Sequence, residues 1–560
     1  MTSSQSPVAD VDAASSRDVP AGGASTPLDP YVSVASPRHH GESEELSRTQ
    51  KWARSWMVTR WRLSRTIYSV PVPVLTARFD IKRGDLVLTL PLLLVLLVAS
   101  VVFTSDHDVK MSGMPPTFTM LLVFGMAVRN NSLLLTVTGI PFERALFYHK
   151  LFAYATILLT ALHAFSYQLA DDEGEEGDKD AAKRTGAIAF VAMIFMYVLS
   201  LNKIRRRYFE LFVRVHWILF IVVIVAAVAH GAFFALFGIV PWFVDMLYRL
   251  VFRARTYLRG SSKMTKGSER YMGIVARDQV SVHALPGNIT RIQFPRVRKD
   301  TGEAFEYAAG QYAFLCIPTI SSFEWHPFTI SSSPNEAIVT FHIKGLGDWT
   351  KKVMTAAVNA TEESPFDILL DGPYGYVSVD VETPAVYAHY VMFSGGIGVT
   401  PMRSIVNWLY NEHHDGYRPD VKNVHFVWSV RDRDLIQALI DDTDESKNHA
   451  SYFPARIQDA ATPNEPTSKF FSEFYLTRGE NDVEAQLDHQ LSNCLRYGSR
   501  PDTAKILRAM GEKAQEAGST RVAVLVCGPK PLVDGVVTSS IVLSKEMGVS
   551  FDVHTELFDF

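Results

Sequence analysis

Two pairs of histidines, each pair fourteen residues apart, constrain this chain more than any other feature. His149 and His163 bracket an apolar run from Leu151 to Leu162, and His216 and His230 bracket another from Trp217 to Ala229. A helix turns about 100° per residue, so fourteen residues return a side chain to within about 40° of its starting face after a rise of about 21 Å. The apolar slab of a bilayer is about 30 Å thick. As membrane helices, both stretches therefore present two imidazoles on one face, one towards each side. Two such helices face to face offer two His–His sites stacked across the bilayer, a geometry that holds two haems by axial nitrogens. A single histidine in an apolar helix is ordinarily a hydrogen-bonded core residue. A proton relay could also use all four, but it needs no equal spacing. Ionisable groups inside membrane helices are costly and usually functional.

A length of 560 residues allows roughly two to four domains. The mean hydropathy of +0.06 conceals a split. Residues 86–105, 151–170, 186–202 and 215–240 are strongly apolar and carry no Lys, Arg, Asp or Glu, whereas the chain after about 265 reads as soluble α/β protein. A net charge of −4 points away from a nucleic-acid partner. Cys316, Cys494 and Cys527 are too scattered for a disulfide framework or a CxxC metal site, and no CxxCH is present to attach haem covalently. No apolar signal region opens the chain, so no cleaved signal peptide is expected.

Residues 1–50 are rich in Ser, Ala, Pro, Asp and Gly and are expected to be a disordered cytoplasmic tail. Residues 51–84 form a basic interfacial segment: eight Lys/Arg lie between Lys51 and Arg83, interleaved with Trp52, Trp56 and Trp61. Six membrane spans are expected within 85–258, at about Leu86–Ser105, Thr117–Ile140, Arg144–Ala170, Thr185–Leu201, Tyr208–Leu236 and Gly238–Val251. Arg129 falls mid-span, where lipid exposure would be costly, so it should face the bundle interior and pair with a haem propionate or an anionic acceptor. The segment before the first span, the 203–207 loop and the exit near Arg249 are basic, while the loop at 171–180 carries seven acids. Basic loops stay inside, so both termini are expected in the cytoplasm, with His149 and His216 near that face and His163 and His230 near the other. The acidic loop is then external, as a solvated loop or a gatherer of metal cations.

Short alternating strands punctuated by Gly and Pro begin at about Arg270, and an antiparallel β-barrel is expected over 268–385. A flat isoalloxazine needs an apolar wall and a hydroxyl or amide near N5, which His326, Pro327, Phe328 and Thr329 at a strand edge can supply. Lys344 and the Gly345–Gly347 turn can approach a pyrophosphate, although strand aromatics are usually core. Over 386–560 an α/β nucleotide-binding domain is expected. An apolar strand near Tyr390 runs into Gly395, Gly396 and Gly398, then Thr400, Pro401 and a helix from about Met402. Glycines let the backbone approach a phosphate, and the helix N-terminus behind them supplies free N–H groups. Arg431 and Arg433, after the strand 424–430, are placed to meet a 2′-phosphate or are surface charges. Cys527, at another strand-to-turn with Gly528 and Pro529, sits where a nicotinamide ring can lie or is a small buried hydrophobe.

Taken together, the paired histidines, His326–Thr329, Gly395–Pro401, Arg500–Asp502, Cys527–Pro529 and the aromatic C-terminus resemble the ferric reductase and NADPH oxidase superfamily over about residues 85–560. The resemblance implies a six-span membrane helical bundle with two b-type haems, followed by a ferredoxin-reductase-like FAD barrel and NADPH domain. It implies His149 and His216 as ligands of an inner haem, and His163 and His230 as ligands of an outer one. It assigns His326, Phe328, Thr329, Lys344, Trp349 and Thr350 to the flavin segment, and Gly395, Gly396, Gly398, Thr400, Pro401, Arg431, Cys527, Gly528 and Pro529 to the nucleotide. Phe560 resembles the terminal aromatic that shields the flavin until nicotinamide displaces it.

The expected activity is electron transfer from cytoplasmic NADPH through FAD and both haems to an external acceptor, in the plasma membrane. A ferric chelate, or a cupric one, is favoured. Oxygen-reducing members usually carry a second histidine one turn after the outer ligand, and that position is Tyr167 here. Ser331–Pro334 and Phe426–Asp432 also resemble the metalloreductases, whereas Phe560 and Arg129 resemble the oxidases, whose acceptor is O2. No calcium-binding loops precede the bundle, and any helper protein is unspecified. A rival of another class is a transporter or proton channel with a regulatory nucleotide-binding tail.

Overall fold

The computed structural model describes, apart from isolated positions, residues 81–127, 142–169, 176–247, 271–297, 304–360, 366–440, 469–478 and 491–556. The expected disordered tail, Arg129 and Phe560 lie outside the described residues.

Four helices among the described residues are long and apolar enough to cross a membrane, over Asp85–Ser105, Arg144–Leu169, Asp180–Ser200 and Leu211–Ala229. They belong to α1 (Leu90–Ser105, entered through a π-helical turn at Asp85–Thr89), α3 (Phe142–Leu169), α4 (Glu176–Ser200) and α5 (Phe209–Ala229). Two shorter apolar helices stand where the second and sixth spans are expected: α2 (Met114–Met126) and the stretch Phe233–Val244. The second expected span thus ends at Met126 in the described residues. The fifth is also shorter than expected, because α5 stops at Ala229 and His230 is its C-terminal cap. Large apolar side chains face outward on these helices, such as Leu94, Phe195 and Val225. That surface suits hydrocarbon, where a helix can satisfy its backbone groups internally. Asp85 is buried in the π-turn; it pairs with Arg144 and accepts a 2.7 Å hydrogen bond from Tyr148, which ties α1 to α3.

The second unit is built from two antiparallel sheets. One has the order β1 (Tyr271–Val275), β7 (Ile368–Tyr374), β4 (Tyr312–Cys316), β5 (His326–Thr329); the other runs β2 (Ser281–Leu285), β3 (Ile289–Pro295), β6 (Ile338–Lys344). Alternate residues such as Ile292, Leu315 and Phe341 point into a shared core, as the period-2 geometry of strands demands. Helix α6 (Asp348–Val358) adds Trp349 and Val353 to that core.

The third unit is a wholly parallel six-stranded sheet in the order β11 (Leu495–Tyr497), β10 (Phe470–Leu476), β9 (Asn423–Val430), β8 (His389–Gly395), β12 (Arg521–Cys527), β13 (Ser550–Glu556). All seven residues of β8 are buried, as parallel strands covered on both faces require. The chain runs outward from β8 to β11 and then returns to the other side of β8 with β12. Strand order therefore reverses between β8 and β12, and α/β sheets bind ligands at the C-terminal ends of the strands beside such a switch. Helix α7 (Val399–His414) follows β8; α8 (Thr503–Glu516) and α9 (Lys530–Met547) pack together beside β12.

Candidate functional site

The four membrane histidines come together in the two pairs that their spacing suggests. Helices α3 and α5 each carry one histidine in the first half and a second near the far end. The ring centres of His149 and His216 are 6.4 Å apart, and those of His163 and His230 are 5.8 Å apart. Two imidazoles sharing one ion through Nε2 have ring centres about 6 Å apart, because each metal–nitrogen bond is about 2 Å. Three of the four Nδ1 atoms are otherwise engaged. His149 Nδ1 is 3.0 Å from the Val123 carbonyl oxygen, and His230 Nδ1 is 2.8 Å from that of Ala182. His163 Nδ1 is 2.8 Å from Ser112 Oγ, which itself donates to the Val109 carbonyl. Donation from Nδ1 fixes the tautomer that leaves the Nε2 lone pair for a metal. A cavity of about 370 Å3, lined by His149, His216, Phe124, Met193, Trp217 and Trp242, adjoins the first pair. Beside the second pair, a Cβ on Gly186 would fall 2.8 Å from His230 Cε1, so only glycine leaves the ring in place. The donor set and its spacing at both pairs, with apolar space adjoining the first, fit b-type haems.

In the barrel, His326, Pro327, Phe328 and Thr329 form β5 at the edge of its sheet. The His326 and Trp349 ring centres are 4.4 Å apart, and Phe328 stacks on Trp349 at 5.8 Å. Trp349 is buried in the barrel core, so it backs His326 and Phe328 rather than forming an open wall. Lys344 ends β6, half-buried, at the Gly345–Gly347 turn. Thr350 caps α6: its Oγ1 accepts from the Leu346 and Gly347 amides, each at 3.0 Å. These residues offer a flat apolar surface beside a polar turn, which fits an isoalloxazine with its phosphate tail.

The third cluster lies at the strand-order reversal. Gly395 ends β8; Gly396 to Gly398 form a single 3-10 turn, and α7 begins at Val399, three residues earlier than expected. Thr400 and Pro401 therefore lie in its first turn, where a missing proline N–H costs nothing. Cys527, Gly528 and Pro529 pack directly against these glycines. A Cβ on Gly395 would meet Pro529 Cδ at 2.4 Å, and one on Gly398 would meet the Cys527 carbonyl oxygen at 2.6 Å and Sγ at 2.9 Å. Neither position tolerates a side chain. Arg431 is exposed just past β9, two residues beyond Ser429, which pairs with Gly395, so it borders the same strand ends. Cys527 is buried, and burial followed by the nearby Glu556 carboxylate pushes its thiol well above the ordinary range.

Several neighbours of these residues escape the sequence reading. Trp428 Nε1 donates to the Gly396 carbonyl at 2.9 Å and anchors the glycine turn. Arg403, Ser404 and Asn407 of α7 bond the loop that follows β5. Strand alternation marks Trp428 as core, but no local signal tells which backbone group it reaches.

Three family models match in sequence: the ferric reductase like transmembrane component over residues 112–227, an FAD-binding domain over 274–378, and the ferric reductase NAD binding domain over 387–541. The heavy chain of a superoxide-generating NADPH oxidase of Dictyostelium discoideum is 27% identical over 75% of this chain and 82% of its own length. Ferric reduction oxidase 7 of Arabidopsis thaliana, a chloroplastic protein, is 28% identical over 58% of this chain and 43% of that protein. Dual oxidase 1 of Homo sapiens is 24% identical over 75% of this chain but only 28% of that longer protein. The protein is thus a multi-pass membrane oxidoreductase with FAD- and NAD(P)H-binding domains, a member of the ferric reductase and NADPH oxidase superfamily.

Proposed function

We propose that the chain moves electrons from cytoplasmic NADPH across the plasma membrane to an external ferric chelate. The observation that carries this reading is the pair of opposed histidine couples, with ring centres 6.4 and 5.8 Å apart and their Nδ1 atoms, His216 excepted, already bonded. His149 and His216 would hold an inner b haem, and His163 and His230 an outer one. FAD supplies the conversion of a hydride into single electrons, and the haems supply one-electron carriers within the lipid. The protein's own part is to bind and align. Gly395, Gly396 and Gly398 bring the backbone and the α7 N-terminus to a phosphate, while Arg431 meets the 2′-phosphate. Cys527, held neutral by burial, packs beside the nicotinamide without acting as a base. His326, Phe328 and Thr329 hold the flavin ring against the Trp349 backing.

Tyr167, one turn after His163, supports a metal acceptor, since oxygen-reducing members of the superfamily usually carry a histidine there. Two relatives that bear the name of oxidases support dioxygen as the second reading. NADPH-driven Fe(III) reduction with and without superoxide dismutase separates them. Direct reduction is expected to persist with the dismutase present. Near-complete inhibition would assign the electron to O2.

A further inference from the structure

We infer that Arg403 is a positioning residue, the centre of a latch that holds the nucleotide loop in register with the flavin segment for hydride transfer. The inference concerns the FAD and NAD(P)H domains alone and does not depend on the terminal acceptor. Arg403 lies four residues after the start of α7, one turn beyond the glycine loop. Its guanidinium is 1% exposed and donates 2.6 Å to the carbonyl of Ser331, two residues past Thr329. It also stands 3.6 Å from the Glu336 carboxylate. On the same face of α7, Ser404 donates 2.7 Å to the Ser332 carbonyl, and Asn407 donates 3.2 Å to Glu336.

The target loop is rigid in its own right. Glu336 accepts from the Ser333 amide at 2.8 Å, and Tyr307 bonds Ser332 Oγ at 2.8 Å and the Ser333 carbonyl at 2.9 Å. Ser331 Oγ is 2.8 Å from His342 Nδ1 on β6. Two rigid bodies, the β5 edge and the glycine turn, are thus joined by a buried guanidinium whose Nη1 bonds the Ser331 carbonyl and lies beside the Glu336 carboxylate. The charged guanidinium strengthens its bond to the carbonyl, and the Ser404 and Asn407 bonds on the same helix face fix direction as well as distance. All of these contacts are between protein groups, so the chain itself supplies the latch. Hydride transfer falls steeply with donor–acceptor misplacement, and an error of about 1 Å can cost on the order of a hundredfold in rate. The latch therefore governs the rate of flavin reduction rather than the affinity for NADPH, because its donors, Arg403, Ser404 and Asn407, lie outside the Gly396–Gly398 turn.

The test is anaerobic stopped-flow reduction of the full-length protein by NADPH and by C4-deuterated NADPH. For Arg403→Met we expect a fall of about tenfold or more in the limiting rate of flavin reduction. FAD content and the NADPH concentration at half-saturation should stay unchanged, and the deuterium isotope effect should rise. Arg403→Lys should recover part of the rate. Ser404→Ala, which keeps the buried ion pair, should fold normally and show a smaller fall of the same kind. An unchanged limiting rate in Arg403→Met or Ser404→Ala would overturn the inference. So would a fall that merely tracks lost FAD or a raised half-saturation concentration.

Discussion

The thiol of Cys527 illustrates how position decides chemistry for a single residue. It lies between two glycine-bearing turns and packs against Gly398; it is 1% exposed, and both burial and Glu556 disfavour its thiolate. Its folded-state pKa lies above the unfolded value of about 8.5. The stability it contributes is therefore fully present below that pH and is lost as pH rises through the folded value. Iodoacetamide at pH 8 is expected to leave Cys527 unlabelled in the native protein and to label it after denaturation, as read by peptide mass spectrometry. Rapid native labelling would show an exposed thiolate. The four histidines were legible from sequence because helical periodicity is a local property. Their hydrogen-bond partners were not: Ser112, Val123 and Ala182 come from other helices, and nothing in the interval 149–163 or 216–230 names them.

Among the elements, the first membrane helix is secured by an ion pair that its own apolar sequence does not advertise. Asp85 looks like a boundary residue, but the π-turn carries it inward to Arg144 and Tyr148 of α3. Removing one partner of a buried pair strands the other charge, at a cost of about 3–5 kcal/mol. Asp85→Asn is expected to lower the thermal midpoint of the detergent-solubilised protein by several degrees. Asp85→Asn with Arg144→Met should recover much of the loss. An unchanged midpoint in the single variant would mean that the pair does not tie α1 to α3. Helix existence was readable from uncharged apolar length, whereas the ends were not. The expected fifth span overran its helix because Phe233–Gly238 is as apolar as α5 and only its 3-10 geometry differs. At β8 and α7 the opposite held: three glycines followed by a proline announce strand, turn and helix from composition alone, and only the first helical residue was misplaced.

Across the whole molecule, each unit contributes one alignment. The bundle opposes histidines on helices that are not adjacent in sequence, the barrel backs its edge strand with Trp349, and the parallel sheet reverses order where its glycines lie. The α7 latch then joins the second unit to the third. The unit types and their sequence order could be read from hydropathy and turn chemistry. The latch could not, because Ser331 and Arg403 are seventy-two residues apart and belong to different domains. The central claim is that the two histidine couples carry electrons through the lipid. Its most direct measurement is haem stoichiometry and spectrum in the wild type and in His163→Leu, with flavin reduction followed in parallel. The wild type should hold two low-spin bis-imidazole haems per chain. The variant should hold one, still accept electrons from NADPH at the flavin, and fail to reduce an external Fe(III) complex. Two intact haems and undiminished external reduction in the variant, or no haem in the wild type, would contradict the account.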